Sequence, residues 1–102
     1  MDFKVIINED AYLDLLDAVD FYESKSVGLG EKFFKIYKEK VFELKKNPFY
    51  FSFYMEQFRR ISFEYFPYVM IYKILDNNAV IIFEITFAGR SNETIIRKLK
   101  GN

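Results

Sequence analysis

Apolar and polar residues change period several times along this chain, and each change marks an element. Phe3-Lys4-Val5-Ile6-Ile7 alternates loosely and is rich in β-branched residues, which predicts a first strand. Asn8 then offers an N-cap, with Glu9 and Asp10 in the first turn, where the helix dipole favours acids. From there to about Glu23, Ala11, Leu15, Ala18 and Tyr22 recur at helical spacing, with Tyr12, Leu16 and Val19 on the adjoining stripe. Ser26-Val27-Gly28-Leu29-Gly30 breaks this helix, because two closely spaced glycines permit a tight reversal. A second helix is expected from about Glu31 to Lys46. Its apolar face is Phe33, Tyr37, Val41 and Leu44, with Phe34 and Ile36 beside it and the lysines and glutamates facing out. Asn47-Pro48 stops it, since proline disfavours helical geometry in the residue before it. So short a connection predicts an antiparallel helical hairpin.

Beyond the aromatic run Phe49-Tyr50-Phe51-Ser52-Phe53-Tyr54 the period falls to two. Phe58 to Tyr65 alternates, Phe66-Pro67 turns the chain, Tyr68 to Leu75 returns, and Asp76-Asn77-Asn78 makes a hairpin turn. Ala79 to Phe87 is apolar on both faces, so it is expected to be central or covered. Ser91 or Asn92 caps a short C-terminal helix with Arg97, Lys98 and Lys100 in its last turn. The expected class is α+β: strand, helical hairpin, then an antiparallel β-meander, in two layers with both helices on one face of the sheet. The expected buried layer comprises Leu15, Leu16, Val19, Phe33, Tyr37, Val41, Ile61, Phe63, Val69, Ile71, Ile82 and Ile85.

Length and composition narrow the function. A chain of 102 residues makes one domain with one core. Its 15 basic and 15 acidic residues balance, so no long-range field draws it to nucleic acid. The absence of cysteine removes disulfides, thiolate metal sites and cysteine nucleophiles. The absence of histidine removes the usual general base at neutral pH and the commonest metal ligand. No cofactor and no metal are called for. No apolar run approaches the roughly 20 residues of a membrane span, and the acidic N-terminus is no signal peptide, so the cytoplasm is the expected compartment.

The outlier is aromatic content, 13 Phe and 8 Tyr without Trp. Most of these rings are accounted for by a core that uses Phe where others use Leu. The contiguous run from Phe49 to Tyr54 is different, because one layer of core cannot hide both of its faces. Phe49, Tyr50, Phe51, Phe53 and Tyr54 are therefore candidates for contact with a protein partner. Asp10, Asp14 and Asp17 line one side of the first helix and invite a metal or paired-carboxylate reading. A solvated acidic face accounts for them without a site.

Several short strings point further. Arg59-Arg60 opens a strand that leads into Phe66-Pro67-Tyr68, the strand Val69-Met70-Ile71-Tyr72-Lys73-Ile74 follows the proline corner, and Thr86-Phe87-Ala88-Gly89-Arg90 closes the last strand. With Ala11-Tyr12-Leu13-Asp14-Leu15 and Asp20-Phe21-Tyr22 in the helical half, nearly the whole chain resembles the RelE/ParE superfamily, the toxin halves of bacterial toxin–antitoxin pairs, often described as plasmid stabilisation proteins. The resemblance implies a cognate antitoxin as partner, laid into apolar grooves of the toxin. It also places functional arginines at Arg60 and Arg90, with Arg59 beside them.

The target divides the superfamily. Members that cut mRNA on the ribosome need a base for the 2′-hydroxyl, cations for the phosphorane charge and an acid for the leaving oxygen. Arg60 and Arg90 match the basic positions, but there is no His, and no Tyr follows Arg90. Arginine stays protonated and cannot serve as the base. Members of the ParE-like branch instead poison DNA gyrase by protein contact and need no catalytic set. The expectation is therefore a ParE-like toxin, with a ribosome-dependent mRNA endonuclease as the alternative. A further alternative is an inactive or self-associating module, in which the aromatic patch closes a homodimer. The competing account of Arg59, Arg60 and Arg90 is structural, as strand-end arginines paired with Glu64, Glu84 or helix carboxylates.

Overall fold

The computed structural model describes residues 2–100. Eight elements follow one another: β1 (Lys4–Ile7), α1 (Glu9–Lys25), α2 (Leu29–Lys46), β2 (Phe53–Met55), β3 (Phe58–Ser62), β4 (Tyr68–Leu75), β5 (Ala79–Phe87) and α3 (Asn92–Lys100). The strands form one sheet in the order β1-β5-β4-β3-β2. The meander β2 to β5 is antiparallel, as the hairpin turns dictate. β1 adds to it in parallel beside β5, so the sheet is mixed. The aromatic run supplies β2, a short edge strand that its composition had not marked as one.

The helical hairpin is built from backbone requirements that its residues meet. Asn8 caps α1, its Oδ1 accepting from the Ala11 N–H at 2.8 Å. Gly28 takes a left-handed φ of 89° between the helices. The Glu23 carboxylate accepts from the Gly28 and Gly30 N–H groups at 2.9 and 3.0 Å, and these bonds hold its pKa below the usual carboxylate value. At Gly30 the helices touch: a Cβ there would lie 2.5 Å from the Val19 carbonyl oxygen. Only glycine allows that approach.

Both α1 and α2 cover one face of the sheet, around a core that includes Leu15, Phe33, Ile61, Phe63, Met70, Tyr72, Ile82 and Ile85. Phe33 is its hub, with ring centroids of Tyr22, Phe63, Phe66 and Tyr68 all within 5.5 Å. Side chains alternate along a strand, so Ile71 faces away from Met70 and Tyr72. Its cluster, with Phe58 and Ile95, lies on the opposite face under α3. β5 is thus covered on both faces, as its largely apolar sequence implied.

Two helical expectations are corrected. Leu16, assigned to the buried layer, is exposed, because Leu15 and Ala18 set the inward face of α1. Lys40, assigned to the outward face of α2, is buried beneath the Glu64 and Glu43 carboxylates, both of which bond its Nζ. Burial works against its charge, but those two carboxylates outweigh it and hold its pKa above the usual lysine value.

A β-bulge interrupts β5 at Phe83. Tyr72 pairs with Ile82 and Ile71 with Glu84, so Phe83 is an extra residue. The alternation slips by one there. Ile82 and Ile85 both face the hairpin core, while Phe83 and Glu84 both face α3.

Candidate functional site

The corner and the exit strings meet. The Ala88 N–H donates to the Pro67 carbonyl at 2.7 Å, Tyr68 pairs with Phe87 in register, and their rings stack edge to face at 6.0 Å. The ring of Phe87 folds over Gly89, where a Cβ would lie 2.6 Å from it. A turn bond from the Arg90 N–H to the Phe87 carbonyl at 3.0 Å then carries Arg90 to the surface. The exposed Arg90 rims a cleft of about 330 Å³ between α1 and the end of β5, lined by Asp14, Asp17, Phe21, Tyr68 and Phe87 among others.

Behind that cleft lies a charge cluster. Lys98 on α3 reaches the Asp14 carboxylate of α1 at 3.5 Å and the Glu84 carboxylate of β5 at 3.6 Å. Glu84 is 1 % exposed, and its pairing with Lys98 is a charge contact beyond hydrogen-bond distance. Burial pushes the Glu84 pKa above the usual carboxylate value, opposed by Lys98 and, more weakly, by Arg90. Asp14 is raised for the same reason and opposed by the same two cations. Asp14 is therefore a partly buried member of an ion network, unlike Asp10 and Asp17 on the solvated side of α1. Among the described residues, no group of three or more His, Cys, Asp or Glu is placed to hold a metal ion.

The arginines have separate settings. Arg59 lies against its own neighbours: its Nη1 donates to the Phe49 and Phe51 carbonyls at 3.2 and 2.6 Å, and its guanidinium lies 3.9 Å from the Phe53 ring centroid. It shapes the aromatic segment. Arg60 is exposed and lies 5.2 Å from the Tyr54 ring centroid. It shares a row with Ile71 and Glu84 across β3, β4 and β5, so it stands about 10 Å from Glu84 along the sheet. Arg90 stands beyond the end of β5, with Asp14, Glu84 and Tyr68 as its electrostatic neighbours. Glu64 is taken by Lys40 and Glu84 by Lys98.

The aromatic run divides between surface and core. Phe49, Tyr50 and Phe53 are exposed by 59, 77 and 62 %, whereas Phe51 packs against the main core. Tyr54 is half-buried on the α3 side, its hydroxyl donating to Asn92 Oδ1 at 2.9 Å. The network of Glu84, Lys98 and Asp14 escaped sequence reasoning. Glu84 alone had left a signal, as the one acid inside an otherwise apolar strand.

No model of a known protein family matches the sequence. No curated protein matches it either. Solved structures do match in shape. A chain of the chromosomal ParDE toxin–antitoxin system from P. aeruginosa superposes with a TM-score of 0.66 at 18 % identity, over 83 % of this chain and 95 % of that one. A double arginine-to-alanine mutant of E. coli toxin RelE in the free state gives 0.61 at 16 % identity, over 99 % of this chain and 98 % of that one. The isolated E. coli RelE toxin gives 0.58 at 18 % identity, over 93 and 97 %. The chain therefore has the α+β fold shared by ParE and RelE toxins, over nearly its whole length. No described helix is long and apolar enough to cross a membrane.

Proposed function

We propose that this chain is the toxin of a type II toxin–antitoxin pair of the plasmid stabilisation kind, held inactive in the cytoplasm by a cognate antitoxin. The carrying observation is the junction of the Phe-Pro-Tyr corner with the Gly-Arg exit, which presents Arg90 beside an open cleft on a fold shared with ParE and RelE toxins. Arg90 and Arg60 are the residues assigned to activity, both exposed. The helical hairpin and the exposed rings of Phe49, Tyr50 and Phe53 are assigned to the antitoxin.

The target assigned is DNA gyrase, engaged by protein contact. Two observations favour contact over mRNA cleavage. The chain has no histidine, and Glu84, the carboxylate in register with Arg60 across the sheet, is buried under α3 and engaged by Lys98. Induction of the chain alone should arrest growth, with DNA breakage and filamentation preceding any fall in protein synthesis. Arg90→Ala should abolish arrest and leave the fold unchanged by circular dichroism. Early loss of translation with mRNA cut at the ribosome would instead assign the ribonuclease role. No arrest at any expression level would remove the toxin reading.

A further inference from the structure

We propose that the cleft between α1 and the end of β5 binds a small zwitterion with an apolar or aromatic body, an amino acid or short peptide. The inference rests on the toxin reading in that such a ligand covers Arg90, the side chain which that reading assigns to activity. At about 330 Å³ the cleft is at the small end of the roughly 300–1,000 Å³ range of ligand pockets. Its charged rims come from different elements. Asp17 on α1 and Arg90 beyond β5 both line it and both are exposed. Neither has an ion-pair partner among the described residues. Asp14, the other carboxylate of the lining, is already engaged by Lys98. The cleft thus holds apart one unpaired anion and one unpaired cation.

The walls and floor select the rest of the ligand. Phe21 and Phe87 are each about half exposed, and Tyr68 meets Phe87 edge to face at 6.0 Å. Rings so placed take an apolar or aromatic body. Thr86 also lines the cleft; it is 3 % exposed, and its hydroxyl oxygen has no hydrogen-bond partner among the described residues. A buried hydroxyl left unpaired is costly, and a polar ligand atom in the cleft gives it a partner. Simpler ligands answer less of this. A phosphate meets one arginine but two carboxylates, and a plain cation pairs with Asp17 while drying Arg90 without compensation. A ligand with an ammonium for Asp17 and a carboxylate for Arg90 answers both ends.

Three probes share one body: L-phenylalanine, phenethylamine, which lacks the carboxylate, and hydrocinnamate, which lacks the ammonium. Amide chemical-shift titrations of the whole chain should show the zwitterion binding about tenfold more tightly than either, since each charge-assisted contact is worth about that factor. The shifts should centre on Thr86 to Arg90 and on α1 around Asp17. Arg90→Ala should bring L-phenylalanine down to the level of the amine, and Asp17→Asn to that of the acid. Thr86→Val keeps the side-chain shape, removes the hydroxyl and should weaken L-phenylalanine about threefold. Arg90 and Asp17 are exposed, and thermal melts will confirm that the variants fold. The dipeptide Gly-Phe, whose charges stand further apart, distinguishes the two sources: tighter binding than L-phenylalanine assigns a short peptide, weaker binding an amino acid. Equal binding of the three single-ring probes, no binding of any, shifts elsewhere on the molecule, or affinities untouched by all three substitutions overturn the inference. Growth arrest is scored in parallel: arrest without ligand binding removes this site alone, and binding without arrest removes the toxin reading alone.

Discussion

Lys98 on α3 stands 3.6 Å from the Glu84 carboxylate on β5, and the bulge at Phe83 is what turns Glu84 toward it. Residues far apart in kind of element and in sequence thus share a buried charge contact that also draws in Asp14. Lys98→Ala leaves the buried Glu84 without its main counter-charge and should cost about 1–3 kcal/mol at neutral pH. The check is a urea melt of the two proteins side by side.

The same pair sets a pH dependence. Burial holds Glu84 and Asp14 above the ordinary carboxylate value, so the folded chain binds more protons than the unfolded one in that range. Their contribution to stability is therefore full below the unfolded pKa and is lost as pH rises through the folded one. Stability measured from the ordinary carboxylate range upward should fall with this component, and Glu84→Gln should flatten the slope. Lys98→Ala should steepen it. A Glu84→Gln protein with the parental slope would show that Glu84 is not the group responsible.

Gly30→Ala tests the hairpin contact. The added Cβ would meet the Val19 carbonyl oxygen at 2.5 Å and the Glu23 Cβ at 2.9 Å, so the helices must separate or shift. A loss of about 1–3 kcal/mol is expected. A neutral result would mean that α2 can slide along α1 at no cost.

Arginine substitutions should separate structure from activity. Arg59→Ala frees the Phe49 and Phe51 carbonyls and removes the cation over Phe53, for an expected cost of about 1–2 kcal/mol. Arg60→Ala and Arg90→Ala remove exposed side chains and should change stability by no more than about 0.5 kcal/mol. Thermal melts of the three variants, read beside growth assays, give the comparison. A large drop in stability for Arg90→Ala would move that residue to a structural role.

Tyr72 lies fully buried, and its hydroxyl donates to the Pro48 carbonyl at 2.6 Å. Burial pushes its pKa up to about 12, opposed by Arg59. In a spectrophotometric titration it should ionise after the exposed tyrosines, and Tyr72→Phe should delete that late step at a stability cost of about 1 kcal/mol. An early step missing instead would show that the hydroxyl is open to solvent.

Local rules decided most of the elements. Helical periodicity, the Asn8 cap, the Asn47-Pro48 stop and the Asn77-Asn78 turn act within a few residues, so the order of strands and helices was legible in the chain. So were Arg90 at a strand exit and an aromatic run too long to bury. The likeness in fold to ParE and RelE toxins was readable from the corner and exit strings, whose hydrogen-bonded junction is a matter of neighbouring strand ends. What the chain alone did not disclose depends on partners distant in sequence. β1 pairs in parallel with β5 because the end of the chain returns beside its start. Leu16 is exposed and Lys40 buried because the sheet, and the Glu64 that follows β3, lie where they do. The site charges are of the same kind. Asp14 looked like one more acid on a wet helix face, and Glu84 like an odd residue in a strand. A one-residue bulge and the docking of α3 brought both to Lys98, and no local pattern encodes a contact between three separate elements.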